Sequence, residues 1–125
     1  MAVTHPAPVR TALADFVVDQ LDVNTPPGKI VLQTGAGAAV ATLTLANPAF
    51  GAASNGIANA NAIVADTNAV GGTIAKAELR QGAGTPIVLC SVTATGGGGD
   101  IQLNSVVISA GQQVSLTSLS YAAPA

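Results

Sequence analysis

The stretch GTIAKAELRQGAGTPIVLCSVT, residues 72–93, decides the fold class. In its first half, Gly72–Gln81, apolar residues alternate with a Lys, a Glu and an Arg, as expected of a strand that turns its charged face to solvent. Its second half, Pro86–Thr93, is almost continuously apolar, which predicts a strand buried on both faces. Gly82–Thr85 connects the halves with residues typical of a hairpin. Residues 72–93 therefore indicate an antiparallel β structure.

Further short strands are predicted on both sides of this hairpin, separated by Gly, Pro, Asn and Asp. They are Lys29–Thr34, Ala38–Leu45, a strand around Ile57, Asp100–Asn104, Ser105–Ile108 and Gln112–Tyr121. This spacing predicts a mainly β fold, a single-domain β-sandwich or jelly-roll-like barrel over residues 29–121. The residues expected in its core are Ile30, Leu32, Leu43, Leu45, Ile74, Leu79, Val88, Leu103, Val107, Val114 and Leu116.

The N-terminal part of the chain is predicted to contain an arm, residues 1–7, and one helix, residues 8–22. Prolines at the helix start cost little, because the N–H that a proline lacks would have no intrahelical partner there. Large apolar residues recur at helical spacing and form the candidate assembly contacts Val9, Leu13, Phe16, Val17 and Leu21. This stripe is expected to dock on the sheet or on a neighbouring subunit. Deletion of residues 1–22 is then expected to leave the β domain folded.

The low charge of the chain is its most unusual property. Asp, Glu, Lys and Arg make up 8% of the residues, against about 25% in ordinary soluble domains. This composition favours a surface covered by neighbouring subunits over the alternative, a monomer from a low-charge lineage. The net charge is −2, with four scattered basic residues. Binding to nucleic acid requires clustered Lys and Arg, so it is not expected.

The residue types that carry catalysis are few and scattered. His5 is the single histidine and falls in the predicted arm, away from any group of metal ligands. Cys90 lies in an apolar run, which is typical of a small buried side chain. Asp15, Asp19 and Asp22 are interpreted as a solvated helix face, and the other aspartates as turn residues. The sequence predicts no enzyme activity, no metal and no cofactor.

The N-terminus has no basic start or uninterrupted apolar segment of the kind found in signal peptides. No stretch approaches the ~20 apolar residues of a membrane span. The protein is therefore expected to be made in a cytoplasm and to have no membrane partner.

Three segments together resemble a family of small proteins from the structural gene clusters of tailed bacteriophages. They are TLTLANPAFGAASNGIANAN (Thr42–Asn61), AELRQGAGTPIV (Ala77–Val88) and DIQLNSVVISAGQQVSLTSLSY (Asp100–Tyr121). The similarity is carried by the NPAFG motif at Asn47–Gly51, by the hairpin, and by the final strand pair around Ala110-Gly111. It covers about residues 29–121, and the leading helix matches less well.

This resemblance implies a virion structural role, as a decoration or minor capsid protein that stabilises the head. The alternative is a tail, baseplate or fibre-associated structural or adhesion component. The family brings no catalytic residues to this chain. The expected partners are further copies of the chain, most simply as a homotrimer, and the major capsid protein or another virion protein. The expected location is the virion.

Overall fold

A computed structural model describes residues 4–23, 27–116 and 118–123. The helix α1 spans Ala7–Asp19 and is followed by a 3-10 helix at Gln20–Asp22. The strands are β1 (Lys29–Gln33), β2 (Ala39–Thr44), β3 (Ile57–Asn59), β4 (Gly72–Thr73), β5 (Lys76–Arg80), β6 (Pro86–Ala94), β7 (Ile101–Leu103), β8 (Val107–Ile108) and β9 (Ser120–Ala122). The predicted N-terminal helix is thus confirmed, although α1 begins one residue before the predicted range, at Ala7, and ends at Asp19. Of the predicted arm, residues 1–3 lie outside the described part of the chain.

The main sheet has the strand order β2-β1-β5-β6-β7. Its neighbouring strands are antiparallel except for β6 and β7, which are parallel. Two smaller sheets pair β3 with β9 and β4 with β8. The mainly β fold class and the N-terminal helix are confirmed. The hairpin predicted from residues 72–93 forms β5 and β6 at the centre of this topology.

The core lies against one face of the main sheet. Its largest fully buried side chains include Ile30 and Leu32 from the interior strand β1 and Leu43 from β2. The 3-10 helix adds Leu21, which is also fully buried. Burial of each such side chain contributes about 1.5–3 kcal/mol, so these residues dominate the stability of the domain.

Most of the predicted core is confirmed. The residues found buried are Ile30, Leu32, Leu43, Leu45, Ile74, Leu79, Leu103 and Val114. Val88 and Leu116 are partly buried against this cluster. The prediction that Val107 is buried is wrong, because its side chain is 65% exposed. It precedes Ile108 in the short strand β8, and the alternation of that strand turns Ile108 inward and Val107 outward.

The opposite face of the main sheet is only partly open to solvent. Lys76 is exposed, as predicted, but Glu78 and Arg80 are half-buried. Gln33 on β1 is 4% exposed and donates from Nε2 to Glu78 Oε1 at 3.4 Å. Arg80 donates from Nε to the same oxygen at 2.7 Å. Gln33, Glu78 and Arg80 are thus linked by hydrogen bonds, and Val31, which lies on the same strand as Gln33, is also buried.

Three strand predictions are wrong in part. The segment Gly72–Gln81 is interrupted, because Gly72–Thr73 forms β4, which pairs with β8 in a separate sheet. Pro86–Thr93 is a strand, but it is not buried on both faces, since Leu89 is 72% exposed. The segment Gln112–Tyr121 is not one continuous strand. Within its described residues, Val114 forms an isolated bridge with Asp66, and the final residues enter β9, which pairs with β3. Alternation in the sequence does not specify which strand edges find partners.

Candidate functional site

The inner face of α1 is built from small and medium side chains. Ala14 and Val18 are buried on this face, and Leu21 of the following 3-10 helix continues it into the core. The largest apolar side chains of α1 do not take part. A small residue such as Ala14 allows the helix to approach its neighbours closely. The size of the apolar side chains alone therefore predicts the wrong face of α1 as the buried one.

One flank of α1 is tied to the segment that connects β2 and β3. Asp15 Oδ1 accepts a hydrogen bond from the backbone N–H of Ala53 at 2.7 Å. Thr11 Oγ1 accepts one from the N–H of Gly56 at 3.0 Å. Gly56 has φ +78°, and a Cβ at this position would lie 2.9 Å from Cβ of Arg10. Glycine is therefore required where the helix meets this segment.

The end of the helical region is tied in the same way. Asp22 Oδ1 accepts a hydrogen bond from the N–H of Ala49 at 2.9 Å. Gln81, which follows β5, donates from Nε2 to the carbonyl oxygen of Gln20 at 2.9 Å. The interpretation of the helix aspartates as a solvated face is thus wrong for Asp15 and Asp22, whereas Asp19 is exposed. Carboxylates that accept backbone N–H bonds fix this helix to the β domain.

The outer face of α1 carries an exposed apolar stripe formed by Val9, Leu13 and Phe16, hereafter the α1 stripe. These residues are spaced by four and three positions, so they share one face of the helix. Phe16 is 65% exposed, and the other two are also exposed. Val17 is half-buried at the border of this face. Leu21, the fifth candidate contact, lies in the protein's own core, so no partner can reach it.

The anchoring of α1 argues against the expectation that the β domain stays folded when residues 1–22 are deleted. The helix contributes Ala14 and Val18 to the interior, and the 3-10 helix contributes Leu21. Its side chains also satisfy backbone N–H groups of the β2–β3 connection, at Ala49 and Ala53. Removing the segment would expose apolar core and leave those groups without their acceptors. The helix is therefore an integral part of the fold, and its outer face is the part available to a partner.

A second apolar feature is a cavity of about 300 Å³ between β6 and β9. Leu79, Val88, Leu89, Cys90 and Ile101 line it from the main sheet, and Tyr121 lines it from β9. All of these residues except Leu89, which is exposed, belong to the core cluster or pack against it. The cavity therefore opens from the interior toward the part of β6 that β7 does not pair with.

Asp100 stands at the rim of this cavity. One of its oxygens, Oδ2, accepts hydrogen bonds from the backbone N–H of Ser91 at 2.9 Å and from Ser91 Oγ at 3.1 Å. This carboxylate closes the glycine-rich connection between β6 and β7 rather than bonding its own backbone. Asp66 combines a local and a distant contact. Oδ1 accepts from the N–H of Asn68, and Oδ2 accepts from the N–H of Thr42.

The thiol of Cys90 lies on the cavity side of β6. Burial of the thiol, followed by the nearby carboxylate of Asp100, raises its pKa above the ordinary value for cysteine. Both causes disfavour the thiolate, which is the nucleophilic form. Because the folded pKa is raised, the stability that depends on the protonated thiol is present at neutral pH. It is lost as the pH rises through the folded pKa.

We expect Cys90 to react slowly with iodoacetamide in the folded protein. The rate, followed by mass spectrometry across a pH series, should reach its half-maximal value at a higher pH than in urea-unfolded protein. Since the chain has one cysteine, the unfolded protein is a control with the same reactive group. An equal or lower midpoint in the folded protein would show that Cys90 is not shielded in the way described.

Within residues 4–23, 27–116 and 118–123, no group of three or more His, Cys, Asp or Glu residues is arranged to hold a metal ion. No helix in these ranges is long and apolar enough to cross a membrane.

No protein-family model matches this chain, and neither a curated protein nor a solved structure matches it significantly. Its candidate sites are therefore defined by its own residues: the α1 stripe and the β6 edge with its adjoining cavity.

Proposed function

We propose that this protein is a non-enzymatic structural component of a bacteriophage virion, a decoration or minor capsid protein that stabilises the head. The observation that carries the proposal is the α1 stripe, an exposed apolar surface on a helix that hydrogen bonds and core contacts hold firmly in place. A rigid apolar stripe loses little conformational entropy when it docks, which favours attachment.

The small number of charges determines how such attachment would work. The chain has 4 Lys and Arg and 6 Asp and Glu, and Glu78 and Arg80 already pair with each other. Exposed ion pairs contribute only ~0–1 kcal/mol each and weaken in salt. Attachment therefore relies on apolar and backbone contacts, and it should survive high salt.

The proposed partners are the major capsid protein, or another virion protein, and further copies of this chain. The homotrimer expected from the sequence remains a prediction. Val9, Leu13, Phe16 and Val17 are the proposed assembly contacts, with Phe16 at the end of the exposed stripe. Aromatic side chains are enriched among residues that dominate binding energy, so Phe16 is the first residue to test.

Phe16→Asp should remove the protein from particles. We expect virions assembled with this variant to carry roughly a tenth or less of the wild-type number of copies. The reason is that a charge replaces an aromatic side chain that attachment would bury. Copies per purified particle are measured by quantitative mass spectrometry. The matched control is Val70→Asp, since Val70 is 70% exposed and lies outside the stripe. Thermal melting of both variants should match that of the wild type.

The same count distinguishes the head from the tail. Hundreds of wild-type copies per particle support decoration of the head, whereas single digits or low tens indicate a tail or baseplate component. Absence of the wild-type protein from particles would contradict a virion role altogether. Release of the intact protein by moderate salt would contradict attachment through apolar contacts.

A further inference from the structure

The two edges of the main sheet are treated differently by the fold. At the β2 edge, the chain's own segment 64–70 runs alongside the strand. Val64 forms a bridge with Thr44, and Val70 donates its backbone N–H to the carbonyl oxygen of Val40 at 2.8 Å. Thr42 donates its N–H to Asp66. This edge is closed by intramolecular contacts.

At the opposite edge, β7 covers only part of β6. Its pairing is confined to Val92–Ala94, so within the part of the chain that the structure describes, no strand pairs with residues 86–91 of β6 on that side. Val92 donates its N–H toward β5, to the carbonyl oxygen of Ala75, and Ser91 donates its N–H the other way, to Asp100. Successive residues of a strand point their backbone groups in opposite directions. Leu89, two residues before Ser91, therefore directs its N–H and C=O outward.

This open edge lacks the charge that commonly keeps strand edges apart in solution. Residues 86–91 read PIVLCS and contain no charged residue, whereas exposed edges are commonly protected by charge, especially Lys. The pairing with β5 is regular from Val88 to Ser91, and its irregularity lies at Arg80, opposite the start of β6. Leu89, in the middle of the regular part, is 72% exposed. The edge is apolar, and at Leu89 its backbone groups are directed toward an incoming strand.

We propose that this edge pairs with the same edge of a second copy, antiparallel and about a two-fold axis. The backbone groups of Leu89 would then bond with those of Leu89 in the other copy. Since the β2 edge of the main sheet is closed, pairing through the sheet ends at two copies and forms a closed dimer. The edge carries no charge, and the nearby Asp100 is already bonded to Ser91, so the approach of two copies meets little repulsion.

The cavity beside β6 fits the same arrangement. Val88 and Cys90 line it and are only half-buried in the single chain. A two-fold axis perpendicular to the sheet maps each face of the sheet onto the same face. Val88 and Cys90 of the other copy would therefore lie on the cavity side as well. Leu89 also lines the cavity and is exposed in the single chain. Pairing would therefore cover apolar surface at all three residues. The inference concerns self-association and does not depend on a virion role.

The test is the mass of the purified full-length protein in solution. Light scattering over a range of concentrations should give about 24 kDa, twice the 12.1 kDa of one chain. Leu89→Lys places two like charges across the axis and should raise the dissociation constant at least roughly tenfold. Val70→Lys is the matched control, because Val70 is equally exposed and lies by the closed edge. It should leave the mass unchanged.

Amide hydrogen exchange separates edge pairing from mere side-chain contact. The N–H of Leu89 should exchange slowly in the wild-type dimer and rapidly after dilution to the monomer. The proposal is overturned if the wild type stays at 12 kDa at every concentration, or if Leu89→Lys and Val70→Lys dissociate it equally. A trimer that Leu89→Lys does not affect would also overturn it, and would support the symmetry expected from the sequence. Copies per virion test the virion role separately.

Discussion

Replacing Leu32 with alanine will lower the free energy of unfolding by about 2–5 kcal/mol. Leu32 is fully buried in β1, which is flanked by β2 and β5 in the main sheet. The substitution removes apolar contacts and leaves a cavity that the neighbouring strands cannot fill by small movements. Chemical denaturation followed by circular dichroism measures the change, with an unchanged slope as the sign that the same surface unfolds.

The matched comparison is Val107→Ala. The sequence places both Leu32 and Val107 in the core, but Val107 is 65% exposed, so this variant should change stability by no more than about 0.5 kcal/mol. Equal losses in the two variants would mean that Val107 is buried and that the register of β8 is shifted by one residue. A small loss for Leu32→Ala would contradict the position of β1 between β2 and β5.

The alternation of apolar and polar residues predicts much of this fold because it reports directly on burial. It places β1, β2, β5, β6 and β7, and it identifies most of the core. It fails at Val107, where two adjacent valines and an isoleucine leave the inward face undetermined. A strand register that differs by one residue reverses every side chain, and in a two-residue strand the sequence offers no further residue to decide between the two.

The open edge of β6 could not be predicted for a different reason. A continuous apolar run is expected of a strand covered on both sides, and PIVLCSVT has that composition. Whether a covering element exists depends on where β7 ends and on the path of residues 118–122. Those are properties of the tertiary structure. The same composition that suggests burial within one chain is equally suited to burial between two.

For the candidate site on α1, the sequence predicts the local structure but not the tertiary contacts. Helical spacing predicts the helix and its apolar residues, including Phe16. It does not show that Asp15 accepts a bond from Ala53 or that Asp22 accepts one from Ala49, because these partners are far apart in the chain. The prediction from the sequence therefore assigns the exposed α1 stripe and the buried Leu21 to one and the same surface. A pair of substitutions in this helical region can separate them.

Leu21→Ala should destabilise the protein by about 2–5 kcal/mol, although it lies outside the β domain defined from the sequence. Leu21 is fully buried, and the backbone before β1 packs closely on it. A Cβ at Gly28 would lie 3.5 Å from Leu21 Cβ and 3.0 Å from its carbonyl oxygen. Truncating Leu21 therefore opens a void where the helical region meets the main sheet. The backbone cannot move far to fill this void without breaking the hydrogen bond from Ala49 to Asp22.

Phe16→Ala is the control on the outer face, and it should change the free energy of unfolding by no more than about 0.5 kcal/mol, because Phe16 is mostly exposed. Thermal melting of both variants at one low protein concentration makes the comparison. A large loss with Leu21→Ala and none with Phe16→Ala means that the helix is integral to the fold and keeps its outer face for a partner. If Leu21→Ala melts like the wild type, the helix is a separable module, and deletion of residues 1–22 becomes the better test of attachment. If Phe16→Ala is the more damaging variant, the two faces of α1 are reversed, and Phe16 belongs to the core of the single chain rather than to an interface.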